Sequence, residues 1–360
     1  IGMSNKEKEA VDYFKGQAEK YWLNLNIYAE GMIALAAHRF EMTDLATDVV
    51  KSLKDRSIHK EEFGMYWKDY YVGYNWYEAP IETQALMIEM FDEVTNDQES
   101  VEELKIWLLK EKQTTHWKTT KQTTEAVYAL LLKGTDLLAS DELVQVTIGG
   151  QEIKYVDKKS DNPYEVKPEA GTGYFKTHWA GDLVKPNMGE ITVTKNNTGV
   201  AWGAAYWQYF EDLDKITFAE TNLKLNKKLY LVEITPEGEK LKPVNDKNVV
   251  HVGDKLRVRI ELNTDRNLEY VHMKDMRGAG FEPTTVLSRY KYQDGLGYYQ
   301  STKDAATHFF FDFIPKGVYV FEYDLRVQHV GDFSNGITTI QCMYAPEFTS
   351  HSEGIRVIVE

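Results

Sequence analysis

Lys255-Leu256-Arg257-Val258-Arg259-Ile260-Glu261-Leu262 alternates charged and apolar residues without a break. Successive side chains of a strand point to opposite faces, so Leu256, Val258, Ile260 and Leu262 are predicted to face a core and their neighbours to face water. A sheet with one wet face is typically antiparallel. Tyr319, Phe321, Tyr323, Leu325 and Val327 repeat the pattern against Glu322, Asp324 and Arg326, with Pro315-Lys316-Gly317 as the turn before them. Phe309, Phe310, Phe311, Asp312, Phe313 and Ile314 make a run apolar on both faces, which predicts a central strand between sheets. The three stretches together predict an antiparallel β-sandwich. Cys342 falls in phase with Ile340 and Tyr344, which suits a small buried hydrophobe rather than a nucleophile.

Upstream, Val144, Val146 and Ile148 alternate with Gln145 and Thr147, and Ile191 and Val193 continue the same period. The segment Trp202 to Phe210, with Gly203, Ala204 and Ala205 among aromatics, reads as a tightly packed strand. Glu211 to Asp214 reads as the linker that closes this β unit.

Before Gly134 the period is helical. A small residue that opens an apolar helical run stands nine positions after each of Trp22, Trp76 and Trp117, namely Gly31, Ala85 and Ala126. Between these near-apolar helices lie two amphipathic ones, striped by Leu45, Val49 and Leu53 and by Val101, Leu104 and Leu108. A buried helix followed by a half-exposed one, repeated, is the pattern of an α/α toroid of the terpenoid-cyclase type. Three hairpins fall short of a closed ring, so the expectation is a toroid cut on its N-terminal side.

The chain of 360 residues is long enough for two or three cores. A net charge of −14 opposes a nucleic-acid partner, and no basic patch stands against it. The longest apolar stretches, such as Gly31 to Ala37, fall far below the roughly 20 residues that span a bilayer, so no transmembrane segment is expected. The single cysteine cannot form an internal disulfide.

No His-Glu-x-x-His, phosphate-binding glycine loop or Cys-x-x-Cys pair occurs, so no metal, nucleotide or other cofactor is expected. His272, His308, His329 and His351 read as strand-face and loop residues rather than shared ligands. Arg277-Gly278-Ala279-Gly280 and residues 331 to 336 read as turns in which glycine supplies positive φ, and Asn196-Asn197-Thr198 reads as a β-turn.

Three segments carry a resemblance. They are Trp202-Gly203-Ala204-Ala205-Tyr206-Trp207-Gln208-Tyr209-Phe210-Glu211, Tyr270-Val271-His272-Met273-Lys274-Asp275-Met276-Arg277, and Cys342-Met343-Tyr344-Ala345-Pro346-Glu347-Phe348. They resemble the C-terminal region of bacterial alpha-2-macroglobulins, particularly the long forms typical of Bacteroidetes, and Trp117 to Gly134 resembles the last helical hairpin of that family's toroid. The resemblance implies three domains: 1–139, the end of the thioester-type toroid; 140–219, the returning half of a CUB-like β domain; and 220–360, a macroglobulin-type sandwich in the receptor-binding position. It implies a parent that presents a bait segment to a protease, changes shape when cut and, in many members, traps the attacker through a thioester in a Cys-x-Glu-Gln motif. That motif does not occur here.

The resulting expectation is a non-enzymatic piece of an extracytoplasmic protease-trapping protein, in the periplasm or at the cell surface. Its partners would be proteases or other proteins and the missing N-terminal domains of the same chain. The enzymatic rival is a glycan-active toroid that recruits Asp69, Glu78 and Glu82; a plain envelope scaffold is the other alternative. Candidate protein-contact residues are Tyr74, Trp76 and Tyr77, and an aromatic and basic loop carrying Arg289, Lys291, Tyr298 and Tyr299, since aromatics and Arg anchor interfaces.

Overall fold

The computed structural model describes residues 5–68, 79–132, 142–196, 201, 203–217, 222–245 and 248–360. The chain divides into two compact units, Ile1–Lys110 with Trp117–Gly203 and Glu111–His116 with Ala204–Glu360.

The helices are α1 (Asn5–Tyr21), α2 (Ile27–Arg39), α3 (Thr43–Asp55), α4 (Pro80–Met90), α5 (Gln98–Thr114) and α6 (Thr120–Leu132). Their starts follow from local chemistry. Asn26 accepts from Ala29 N at 2.9 Å, Asp97 from Ser100 N at 3.2 Å, and Pro80 opens α4 where no N–H is needed. Thr119 and Gln122 form a reciprocal capping box ahead of α6.

The small residues of the repeat sit where helices meet. A Cβ on Gly31 would lie 2.8 Å from Met87 Cε of α4, and Ala85 and Ala126 are buried. Helix α4 packs against both α2 and α6, and α3 lies on α2 with Val49 and Leu53 fully buried. Helix α4 is buried on most sides, whereas Val127, Tyr128 and Leu131 leave one face of α6 open, so α6 is not the wholly buried helix expected. A hairpin of β1 (Ile58–Lys60) and β2 (Gly64–Tyr66) stands between α3 and α4, where helix was the only element expected. Buried Gln84 of α4 donates to Met65 O at 2.8 Å and Leu104 O at 3.0 Å, tying that hairpin to α4 and α5. Trp76 and Gly134 lie outside the described residues.

The small β region holds β3 (Gln145–Ile148), β4 (Gln151–Glu152), β5 (Lys154–Tyr155), β6 (Glu165–Val166) and β7 (Ile191–Thr194). Strand β3 pairs antiparallel with β4 and β7 as the alternation predicts, but Val144, Val146 and Ile148 are only half-buried and Val193 is 60% exposed. The strand expected over 202–210 does not form. Trp202 lies outside the described residues, and Gly203–Phe210 is irregular and exposed, because no strand among the described residues pairs with it to satisfy its backbone.

The second unit is an antiparallel sandwich. Its strands are β8 (Leu223–Thr235), β9 (Gly238–Pro243), β10 (Lys255–Thr264), β11 (Leu268–Met276), β12 (Phe281–Pro283), β13 (Arg289–Gln293), β14 (Leu296–Thr302), β15 (Ala306–Ile314), β16 (Gly317–Val327), β17 (Gly331–Ser334), β18 (Thr338–Cys342), β19 (Ala345–His351) and β20 (Arg356–Val359). One sheet runs β12-β16-β10-β8-β9, the other β13-β14-β15-β11-β18-β19, and β17 pairs with β20. Leu256, Val258, Ile260 and Leu262 are fully buried, and Phe321, Leu325, Phe309 and Phe311 meet them between the sheets.

Two expectations in this unit change. Pro315-Lys316 precedes β16 as expected, and carries the chain from one sheet to the other. Strand β15 is central by pairing yet covered on one face only, since Phe310 and Phe313 are 40% and 37% exposed; a two-layer sandwich gives each sheet one inner face. Residues 331–334 are the strand β17, with positive φ at Gly331 and Gly336 alone; Gly278 and Gly280 serve packing instead, as a Cβ on Gly280 would lie 2.6 Å from the Phe333 ring. Cys342 is buried beside Ile340, its Sγ 3.2 Å from Glu269 O, and burial pushes its thiol up. Tyr344 leaves the phase because it sits in the two-residue turn between β18 and β19.

Candidate contact surface

Arg289, Lys291, Tyr298 and Tyr299 lie not in a loop but on the hairpin β13–β14, and the pleat separates them. Lys291 stands opposite Tyr298 and Arg289 opposite Gln300 on one face; Tyr290 stands opposite Tyr299 on the other. Tyr298 points into the core against Phe309, Phe311 and Phe321, donates to Gln293 Oε1 at 2.9 Å, and has its hydroxyl pKa pushed up to about 12 by burial. It is a packing residue, not a contact residue. Tyr74, Trp76 and Tyr77 lie outside the described residues, as do Asp69 and Glu78; Glu82 is buried in the first turn of α4.

On the outer face the hairpin continues a stripe. The register sets Tyr290 against Tyr299, Tyr299 against Phe310, and Phe310 against His272, so four aromatic rings cross four adjacent strands. Tyr290 and Tyr299 meet edge to face at 5.1 Å, and His272 stacks on Phe310 at 4.8 Å. His308 stacks beside them, its Nδ1 2.9 Å from His272 Nε2. Burial, with Lys274 nearby, lowers the pKa of both imidazoles. Tyr290 is 78% exposed and Tyr292 projects beside it. Period-two reading of residues 289–293 separates the tyrosines from the basic residues, but only the strand pairing brings residues 290, 299, 310 and 272 together.

The hairpin's other face borders a polar cleft of about 330 Å³ at the open side of the sandwich, lined by Lys291, Gln293, Gln300, Tyr323 and Asp324. Burial and Arg289 lower the Lys291 pKa, while Asp324 opposes that shift. Burial raises the Asp324 carboxyl, but hydrogen bonds from Arg257 and Lys255 outweigh it and hold the group below its ordinary value.

One set of residues escaped the sequence reading. Lys227 occupies an inward position of β8, in phase with Leu225 and Leu229, and Asp275 an inward position of β11, in phase with Val271 and Met273. Both side chains are fully buried and their Nζ and Oδ1 lie 2.6 Å apart. The signal was present, a charge at a core position of each strand, but it identifies no partner until the sheets face each other.

Among the described residues no group of three or more His, Cys, Asp or Glu side chains could hold a metal ion, and no helix is long and apolar enough to cross a membrane.

Residues 223–347 match the family model of the bacterial alpha-2-macroglobulin MG10 domain, from the first residue of β8 into β19. Among solved structures the chain is similar to trypsin-activated alpha-2-macroglobulin from Escherichia coli, at 11% identity and a TM-score of 0.39, over 96% of this chain and 22% of that one. It is also similar to a Salmonella alpha-2-macroglobulin mutant, at 13% identity and a TM-score of 0.32, over 96% and 21%. The chain therefore spans about a fifth of the length of these proteins. No curated protein matches it. The family match, and not these distant likenesses, carries the resemblance: residues 223–347 are similar to the MG10 domain of bacterial alpha-2-macroglobulins.

Proposed function

We propose that this chain is the C-terminal part of a protein that inhibits or captures endopeptidases outside the cytoplasm, contributing framework and a protein-contact surface and no catalysis of its own. The observation that carries this reading is the MG10 match over the whole of the first sheet and most of the second. On this reading the helices α2 to α6 are the end of a toroid, residues 140–219 the returning half of a CUB-like domain, and the stripe Tyr290, Tyr299, Phe310 and His272 the contact face. Exposed aromatics that keep a polar atom free supply much binding area at low entropic cost. With Cys342 as the sole cysteine, buried and lacking the Cys-x-Glu-Gln context, any covalent capture by a thioester would be chemistry of another part of the parent.

The test is to incubate the full-length parent with a panel of endopeptidases. Bait cleavage, a change in mobility and loss of protease activity on large substrates with small substrates still cut would support the proposal. A parent that is not cleaved and changes nothing, yet co-purifies with a stable partner, would replace it with an envelope scaffold.

A further inference from the structure

The interior of the sandwich, near the end of β11, holds a lysine and an aspartate where side chains should be apolar. Lys227 is flanked along β8 by Leu225 and Leu229, and Asp275 along β11 by Met273. Every polar atom of the pair is engaged. Asp275 Oδ1 receives Lys227 Nζ and, at 2.6 Å, the Thr338 hydroxyl; Oδ2 receives the Tyr323 hydroxyl. Lys227 Nζ also donates to Met276 O at 2.7 Å and lies 3.5 Å from Asn335 O and Gly336 O. The four side chains come from four strands of both sheets, β8 and β16 in one, β11 and β18 in the other.

Two opposite ions taken wholly out of water are costly, and a neutral species in the same place costs far less. Desolvation lowers the Lys227 pKa, which favours the uncharged amine a nucleophile must be. Nζ at 2.6 Å from Oδ1 puts the nitrogen in direct contact with the carboxyl group, and burial between the two sheets restricts both side chains to that contact. The Tyr323 hydroxyl donates to Oδ2, where it polarises the carbonyl and stabilises the negative charge that develops on it, and the Thr338 hydroxyl donates to Oδ1, the oxygen that departs.

We infer that Lys227 and Asp275 are the site of an intramolecular amide cross-link between β8 and β11, formed autocatalytically once the sandwich has folded. Within the pair one proton passes from the ammonium to Oδ1, giving an amine and a carboxylic acid. The nitrogen lone pair then attacks Cγ, the Cγ–Oδ1 bond breaks, and a second nitrogen proton joins the departing hydroxyl. Ammonium and carboxylate become one amide and one water, with no change of oxidation state and no co-reactant. Oδ2 remains as the amide oxygen under the Tyr323 hydroxyl. Such a bond would pin the first sheet to the second near the C-terminal end of β11.

The experiment is the intact mass of the purified chain, followed by a peptide map. The expected mass is about 18 Da below that of the sequence, one water lost to amide formation by the lysine nucleophile. The map should join the peptides that contain Lys227 and Asp275. Lys227→Arg keeps the positive charge but should return the full mass. A full mass in the folded wild-type chain would overturn the inference, and this result does not depend on any variant folding. A deficit of about 17 Da mapped to Asn335 would also overturn it, because ammonia would then have left a different acyl group under attack by the same amine. So would an 18 Da deficit mapped elsewhere.

Discussion

Asp97 shows how one carboxylate serves two elements. It caps α5 through Ser100 N and bonds Lys54 of α3 at 2.5 Å. Burial raises its pKa, but the hydrogen bonds from Lys54 and Ser100 prevail and hold the group below its ordinary value. A carboxyl with a depressed folded pKa contributes stability above its unfolded pKa and loses it as pH falls through the folded value. Asp97→Ala should therefore cost about 1 kcal/mol at neutral pH, and the difference from wild type in urea melts should shrink as the pH drops below about 4. The buried pair is a harsher case. Asp275→Ala leaves Lys227 buried without a partner and should cost about 3–5 kcal/mol in denaturant unfolding, whereas Lys227→Met combined with Asp275→Leu should recover that buried-charge penalty but not the stabilisation from the cross-link.

At the scale of elements, β10 and β16 carry a ladder of charges on their outer face. Arg257 lies opposite Asp324 and Arg259 opposite Glu322, with Nε–O distances of 2.8 Å and 2.6 Å. A double-mutant cycle on Arg257 and Asp324 should return a coupling of about 0.5–1 kcal/mol that weakens with added salt. The histidines on the other sheet respond to pH in a defined direction. Their folded pKa values are lowered by burial and by lysines including Lys274, so the unfolded chain takes up protons first as pH falls. Stability should accordingly decline from about pH 6.5 downward, the ordinary imidazole value, and His272→Phe should flatten that decline in thermal melts across the same range. In the turn after β11, Gly280→Ala would press a methyl group into the Phe333 ring and should cost about 1–3 kcal/mol.

At the scale of the molecule, the sandwich has its own core, and its last strand is held by residues just before its first. Gly354 N donates to Ile216 O at 2.9 Å, and Arg356 bridges Asp214 at 2.9 Å. A chain beginning at Glu211 should therefore fold alone, with a cooperative melt and a native near-ultraviolet spectrum, while one beginning at Leu223 should melt earlier. Much of this architecture is legible in the sequence. Alternation in 255–262 and 319–327 determined two strands and their buried faces, because side-chain direction in a strand depends only on position parity. The spacing of Trp22 with Gly31 and Trp117 with Ala126 determined where helices needed a small residue. What the sequence could not determine was which face meets which. Phe309 and Phe310 are equally apolar in the text, and only the placement of the second sheet buries one and exposes the other. Tyr298 and Tyr299 were indistinguishable until the register of β13–β14 turned one into the core and the other onto the stripe. Lys227 and Asp275 look like two unrelated charges on strands far apart in the chain, β8 and β11. The close packing of the two sheets brings them to 2.6 Å, because that distance depends on long-range pairing that no local pattern encodes.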